Sequence, residues 1–352
     1  MMEILQHIWG STPEGEGIIL YTMRNSRGSE VQLSNIGASI VSVKFADREG
    51  NIDDVALGYR DCTSYIGDGA ASGKSVGRVA GRIARGAMTI DGVDYRLEVN
   101  NGPNHLHGGS KGFANCYWEG RVETNRVVFS RVSEDGEQGY PGELIVEAVY
   151  DFDDEDNLEI TYLAKSNKRT VVNLTNHLYW NLHGEGSGKT ILDHELRLNC
   201  SQVLEMDLVQ IPTGKLLDVK GTALDFTTWR RFGDEIESEF NNIRNYHGYD
   251  HCFAVDVWQK NILQEVGELR CEATGRKVTI LSSQPAAVLY TGNWLAGGCP
   301  VTKSGKYYDD YACVAIECQG FSDAVHHPHF PTIEVEADEL YCQKIVFKLG
   351  TF

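Results

Sequence analysis

Long hydrophobic runs are missing from this 352-residue sequence. No segment approaches the roughly 18 consecutive apolar residues that a membrane-crossing helix needs, so a spanning helix is not expected. The opening residues, MMEILQHIWGSTPEGEG, hold no basic cluster ahead of an apolar stretch, so a signal peptide is not expected either. Positive charge is scarce: 32 Lys and Arg stand against 50 Asp and Glu, a net charge of −18. A surface this acidic repels phosphate backbones and anionic bilayers, which argues against nucleic acid or membrane as partners and disfavours a strongly anionic substrate. The nine cysteines are an odd number with neither disulfide-type nor metal-type spacing, Cys313 and Cys318 being the nearest pair. Free thiols in a reducing cytoplasm are the simplest expectation. Proline-rich, serine-rich and repetitive linkers are absent too, so residues 1–352 read as one domain.

What the sequence does hold is period-two alternation, the signature of strands. In IVSVKFAD, Val41, Val43 and Phe45 alternate with Ser42 and Lys44; in LEITYLAKS, Ile160, Tyr162 and Ala164 alternate with Glu159, Thr161 and Lys165. RVVFSRVS, LIVEAVYDF, HELRLNC, VTILSSQ, IEVEADE and KIVFKLG are similar short runs. Turn-formers separate them, as in DREGN (47–51), IDG (90–92), SEDGEQGYPG (133–142) and DDEDN (153–157). Only 227–240 suggests a helical turn or two. The class is all-β, a sandwich or a barrel.

Five patches could carry chemistry. NLTNHLYWNL (173–182) separates by alternation into Leu174, Asn176, Leu178, Trp180 and Leu182 on one face and Asn173, Thr175, His177, Tyr179 and Asn181 on the other. The second face is polar without a charge, which is unusual for a face turned to water. Amides, hydroxyls and an imidazole offer the mixed donors and acceptors that sugar hydroxyls need. In ACVAIECQGFSDA (312–324), Val314, Ile316 and Cys318 share one face and Ala315, Glu317 and Gln319 the other. A carboxylate within such an apolar strand is costly unless it is bonded or used, and a carboxyl group driven toward a neutral pKa suits a general base. SVGRVAGRIARG places Arg78, Arg82 and Arg85 among glycines; they pair with local carboxylates or position a guanidinium for a ligand. In NNGPNHLHGG, His105 and His107 share a face if extended, and hydrogen bonding by one loop histidine is expected over a metal, since no further ligand set accompanies them. GYDHCFAVD sets Asp250 and His251 among apolar neighbours, with Asp250 a turn residue or a hydroxyl acceptor. HHPHF (326–330) reads as a surface loop.

Taken in chain order, GRVAGRIARG, NGPNHLHGG, GFANCYW, DGEQGYPG, NLTNHLYWNL, IPTGKLLDVKGTALDF, GYDHCFAVD, LYTGNWL and IECQGFSDA resemble the motifs of the aldose 1-epimerase family, the galactose mutarotases, over nearly the whole chain. The resemblance implies a large β-sandwich of twisted antiparallel sheets with the site in a cleft on one of them. It implies interconversion of the α and β anomers of a free aldose such as galactose or glucose, without metal or organic cofactor. By match to the motifs, Glu317 is the base and His177 the acid, His107 assists at or near the ring oxygen, and Arg82 and Asp250 bind sugar hydroxyls. A small sugar is then the partner, and the chain is expected to be a monomer or weak homodimer.

Two positions depart from the family pattern. Gly81 stands where Asn commonly precedes the matching arginine, and Val288 where Gln commonly lies two residues before the Tyr of the YTGN motif. Each lost hydrogen bond to a neutral group is worth about 1 kcal/mol, so the preferred sugar is left open while the reaction is kept. The alternatives are a non-catalytic carbohydrate-binding protein on the same fold, an epimerase for a related sugar or sugar phosphate with Arg78 and Arg85 contributing, and a glycosidase using Glu317 and Asp250 as paired carboxylates.

Overall fold

In the computed structural model, which describes residues 3–352, the alternating segments assemble into antiparallel sheets. The largest has nine strands, with Leu144–Phe152, Asn157–Ser166, Leu340–Thr351 and Arg276–Ser282 adjacent near its middle. Along Asn157–Ser166, Leu158, Ile160, Tyr162 and Ala164 turn inward, as the alternation requires. A second sheet has six strands in the order Tyr179–Trp180, Val314–Gln319, Ala286–Tyr290, Asp250–Ala254, Gln202–Met206 and Pro212–Asp218. A five-stranded sheet spans Glu3–Ser11 to Ile52–Asp54.

The sheets pack face to face because each has one apolar side to hide. Val314, Ile316 and Cys318 enter a core shared with Val278, Ile280, Ile345 and Phe347 of the nine-stranded sheet. Trp180 and Phe347 meet across the layers with ring centroids 5.2 Å apart. Burying side chains of this kind contributes about 1.5–3 kcal/mol each. On the opposite face Glu317 and Gln319 line a cavity while Ala315 packs into a smaller cluster with Leu57 and Leu295, so one strand both holds the sandwich and supplies the site.

Local chemistry sets the connections. At DREGN, Asp47 Oδ1 accepts the N–H of Glu49 and Asn51 (2.9 and 2.8 Å) and Gly50 takes a φ of 87°. At IDG, Asp91 and Gly92 both have positive φ (50° and 75°), closing a tight hairpin between Ala87–Ile90 and Val93–Arg96. Residues 227–240 hold a single 3-10 turn, Phe232–Asp234, with another beginning at Phe240. Among the described residues no helix is long and apolar enough to cross a membrane.

Two expectations need correction. Val41 does not share a face with Val43 and Phe45. A bulge opposite Gln32 and Leu33 pairs Leu33 with Ile40 and skips Val41. Ile40 joins the main core with Val43 and Phe45, while Val41 packs in a separate cluster with Leu57 and Leu295. Nor is NLTNHLYWNL one strand. Thr175–Asn176 pairs with Ser75–Val76, and Tyr179–Trp180 pairs with the strand of Glu317. All ten residues are buried. Leu174, Leu178, Trp180 and Leu182 enter the core as the alternation implies, but the polar face divides. Asn173 binds the Gly320 N–H and the Ala80 carbonyl, Thr175 Oγ1 donates to Cys318 O, and Asn181 donates to the carbonyls of Lys189 and Ala312. A segment that crosses between sheets meets loops whose backbone groups need partners, and these side chains supply them. Only His177 and Tyr179 of that face reach the cavity.

Candidate active site

The register of the six-stranded sheet builds the floor. Glu317 lies opposite Val288, and Val288 opposite Cys252, so the three form a row across adjacent strands. One step along, Asp250 lies opposite Tyr290. A cavity of about 430 Å³ opens over this floor.

His177 is placed by its backbone: its N–H donates to Lys74 O (2.9 Å) and its carbonyl accepts the Gly73 N–H (3.0 Å). Its ring stands edge-on to Tyr179 (centroids 4.8 Å) and His107 (5.5 Å). Nε2 of His177 is 3.4 Å from Oε1 of Glu317. His177 Nδ1, Glu317 Oε2 and Gln319 Oε1 are buried without a partner in the protein. Each such atom costs on the order of 1–3 kcal/mol, so their presence around one cavity marks it as a place where a polar ligand completes the pairing.

His107 follows the short pairing of His105–Leu106 with Arg82–Ile83 and has a φ of 53°. The Gly81 peptide clamps it twice: the His107 N–H donates to Gly81 O (3.1 Å), and the Gly81 N–H donates to His107 Nδ1 (3.2 Å). That second bond fixes the tautomer, so Nε2 carries the proton. Arg82 donates from Nε to Asn101 Oδ1 (3.0 Å) and from Nη2 to Gln210 Oε1; its Nη1 lies 3.9 Å from Asp250 Oδ2. Glu317, His177, His107, Arg82 and Asp250 thus all line one cavity. Both departures from the family pattern line it as well. Gly81 has a φ of 77°, and a Cβ there would sit 2.8 Å from Ser322 Oγ and 3.1 Å from Gln319 Nε2.

Other candidates fall elsewhere. His105 turns into the core, bonded to Tyr140 Oη and Glu98 O at 2.6 Å each, so it does not share a face with His107. Arg78 is buried against the carbonyls of Pro141 and Gly142 and does not line the cavity. Arg85 does not line it either. In HHPHF, His327 Nε2 faces Pro212 O and His329 Nε2 faces Gly214 O, so the ring nitrogens tie loops together. Gln210, Asn101, Tyr290 and Trp294 line the cavity without having been singled out by the sequence reading. The first sits just before IPTG, but a hairpin tip announces its direction only once the register is known.

Burial dominates the electrostatics. It pushes the Glu317 carboxyl up to about 8, with the charge of Asp250 adding and Arg82 opposing. It pushes His177 down to about 4 against a backbone hydrogen bond and the distant charge of Asp68. His107 is driven well below the usual histidine range, first by burial and then by His177 and Arg82. Between about 4 and 8 the Glu317–His177 pair therefore holds one proton between a carboxyl and an imidazole. That is the equipment for taking a proton at one atom of a ligand while giving one at another.

Two clusters have metal-like composition: His107, His177 and Glu317 here, and His183, His194 and Cys271 away from the cavity. Neither offers three lone pairs in its bonded state. His107 Nε2 carries a proton because Nδ1 accepts the Gly81 N–H. The Leu182 N–H donates to His194 Nε2 (2.9 Å), which puts the proton of that ring on Nδ1, facing Asp193.

The chain resembles known proteins over its full length. A family model described as Aldose 1-epimerase matches residues 20–348. Galactose mutarotase of Bos taurus is 38% identical over 350 residues, covering 99% of both chains. Galactose mutarotase of Sus scrofa is 37% identical over 341 residues, covering 97% of both. Among solved structures, a GalM/aldose epimerase homologue from C. elegans superposes with a TM-score of 0.85 at 27% identity, over 100% of this chain and 99% of the other.

Proposed function

The chain belongs to the aldose 1-epimerase family, and from that premise we propose that Glu317 and His177 interconvert the α and β anomers of a free aldose by opening and closing its ring. The observation that carries the assignment of roles is the buried carboxyl and imidazole 3.4 Å apart over one cavity.

The sugar lies with its anomeric hydroxyl on Glu317 and its ring oxygen toward His177. Those contacts draw the shared proton onto the imidazole without changing the net charge of the pair. Glu317 takes the proton of the anomeric hydroxyl, the bond between C1 and the ring oxygen breaks, and His177 protonates that oxygen. The open aldehyde rotates about C1–C2. On closure the freed hydroxyl attacks the other face of C1, His177 recovers the proton, and Glu317 returns its own to the carbonyl oxygen. His107 offers its Nε2–H near the ring oxygen, and Arg82 and Asp250 hold hydroxyls. Every atom balances with no electron acceptor.

A free sugar fits better than a sugar phosphate. Among the described residues lining the cavity Arg82 is the one Lys or Arg, and it is engaged by Asn101 and Gln210. A dianion calls for several free donors. We place the protein in the cytoplasm, where its nine free cysteines suit a reducing milieu, as a monomer or weak homodimer. The test is exchange spectroscopy between the H1 signals of α and β anomers of D-galactose, D-glucose, L-arabinose and D-xylose. Faster exchange with protein for at least one hexose is expected. Folded protein that speeds none of them moves the reading to a sugar-binding protein.

A further inference from the structure

Arg82 and Asp250 would ordinarily neutralise one another. Their side chains are mostly buried, at 14% and 18% exposure, and Nη1 and Oδ2 lie 3.9 Å apart. They do not bond directly, because Gln210 stands between them. Its Oε1 accepts from Arg82 Nη2 and its Nε2 donates to Asp250 Oδ2.

The placement of Gln210 is tightly determined. It occupies the tip of the hairpin joining Gln202–Met206 to Pro212–Asp218, with a φ of 61°. Asp207 Oδ1 accepts the N–H of Val209 and Ile211, both at 2.9 Å, and Asp207 O accepts the Gln210 N–H at 3.1 Å. Asn104 Nδ2 holds Val209 O (3.2 Å) and Asn242 Nδ2 holds Met206 O (2.9 Å). Leu208 and Val209 face solvent while Gln210 lines the cavity.

We propose that Gln210 is a specificity-determining positioning residue: its carboxamide keeps Arg82 and Asp250 apart as a donor and an acceptor for two neighbouring hydroxyls of the sugar. With Nε on Asn101 and Nη2 on Gln210, Arg82 retains Nη1 for a ligand. Asp250, bridged at Oδ2, retains Oδ1. A donor and an acceptor side by side match a vicinal diol, whose hydroxyls give one proton and take another. The inference rests on reading the cavity as a sugar site, and it adds the residue that holds the two hydroxyl-binding groups at a fixed separation. Without the bridge, Arg82 and Asp250 close on each other and a sugar must first part them.

The test separates binding from turnover. Gln210→Leu and Gln210→Glu are prepared, their folding checked by circular dichroism, and compared with wild type. Kd is measured by calorimetry and kcat and KM by mutarotation, using D-galactose, D-glucose and their monodeoxy analogues. Gln210→Leu removes the bridge; Gln210→Glu keeps the bond to Arg82 but sets a second carboxylate against Asp250. Both variants should raise Kd and KM about tenfold while kcat stays within about threefold. Two adjacent hydroxyls whose removal weakens wild-type binding should matter much less in Gln210→Leu. Unchanged Kd and KM in the leucine variant, or a fall in kcat at constant KM, overturns the proposal. Should wild type bind these sugars without speeding their interconversion, the catalytic reading fails while the Kd series still decides the role of Gln210. Wild type that binds none of them overturns the proposal as well.

Discussion

Glu317 carries its proton much more firmly in the folded chain than in an unfolded one, ionising near 8 where an ordinary glutamate ionises near 4.5. A carboxyl whose pKa is raised by folding contributes its stability in full below about 4.5 and loses it as the pH rises through about 8. Glu317→Gln keeps the shape and cannot ionise. Its melting temperature should match wild type near pH 5 and exceed it increasingly toward pH 9; a difference that does not vary with pH contradicts the burial argument. On the roles proposed for Glu317 and His177, the same group sets the pH–rate profile. The one-proton form of Glu317 and His177 prevails between about 4 and 8, so kcat/KM should be flat in that window and fall on both sides. Activity that climbs steadily from pH 8 to 10 would show that the pair works only when fully deprotonated. At this scale the sequence was informative where alternation assigns faces: Glu317 and Gln319 oppose Ile316 and Cys318 as the pattern implies. Alternation failed for His105 and His107, which it set on one face if extended, because the positive φ of His107 breaks the period. The sequence was silent on Gln210, whose role depends on two residues remote in the chain.

Short elements, more than long ones, shape the site. The Gly81 turn offers both its N–H and its C=O to His107, and no side chain fits there without displacing Ser322 or Gln319. Gly81→Ala adds a Cβ 2.8 Å from Ser322 Oγ at a φ of 77°. The left-handed backbone alone costs an L-residue about 1–2 kcal/mol. The variant should therefore melt several degrees lower and lose kcat/KM as His107 shifts; an unchanged melting temperature with unchanged kcat/KM contradicts the clamp. NLTNHLYWNL shows how far pattern reaches at this scale. Alternation placed its apolar residues correctly, yet the segment is two strand fragments joined by His177 and Leu178. Asn173, Thr175, Asn176 and Asn181 serve neighbouring backbone, since the needs of crossing loops are written in distant parts of the chain.

Across the whole molecule, the sandwich ties the site to the core. Tyr179–Trp180 pairs with the strand of Glu317, and Trp180 packs on Phe347 of the nine-stranded sheet. Trp180→Ala should cost about 3–5 kcal/mol, seen in chemical denaturation. Because His177 and Tyr179 adjoin it, kcat/KM should fall too; a loss of stability under about 1 kcal/mol contradicts the packing argument. The all-β class was legible from short alternating runs and turn residues. The choice of a sandwich was not legible from periodicity, since pairing partners such as Asn157–Ser166 and Leu340–Thr351 lie far apart in sequence; resemblance to a family supplied it. Whether Glu317 and His177 open and close a sugar ring is read from polarimetry of freshly dissolved α-D-galactose and α-D-glucose, with wild type beside Glu317→Gln and calorimetry of both. Wild type should hasten the approach to anomeric equilibrium while the variant binds the sugar and loses at least about a hundredfold in rate. A variant as fast as wild type would remove Glu317 from the chemistry and with it the proposed ring opening.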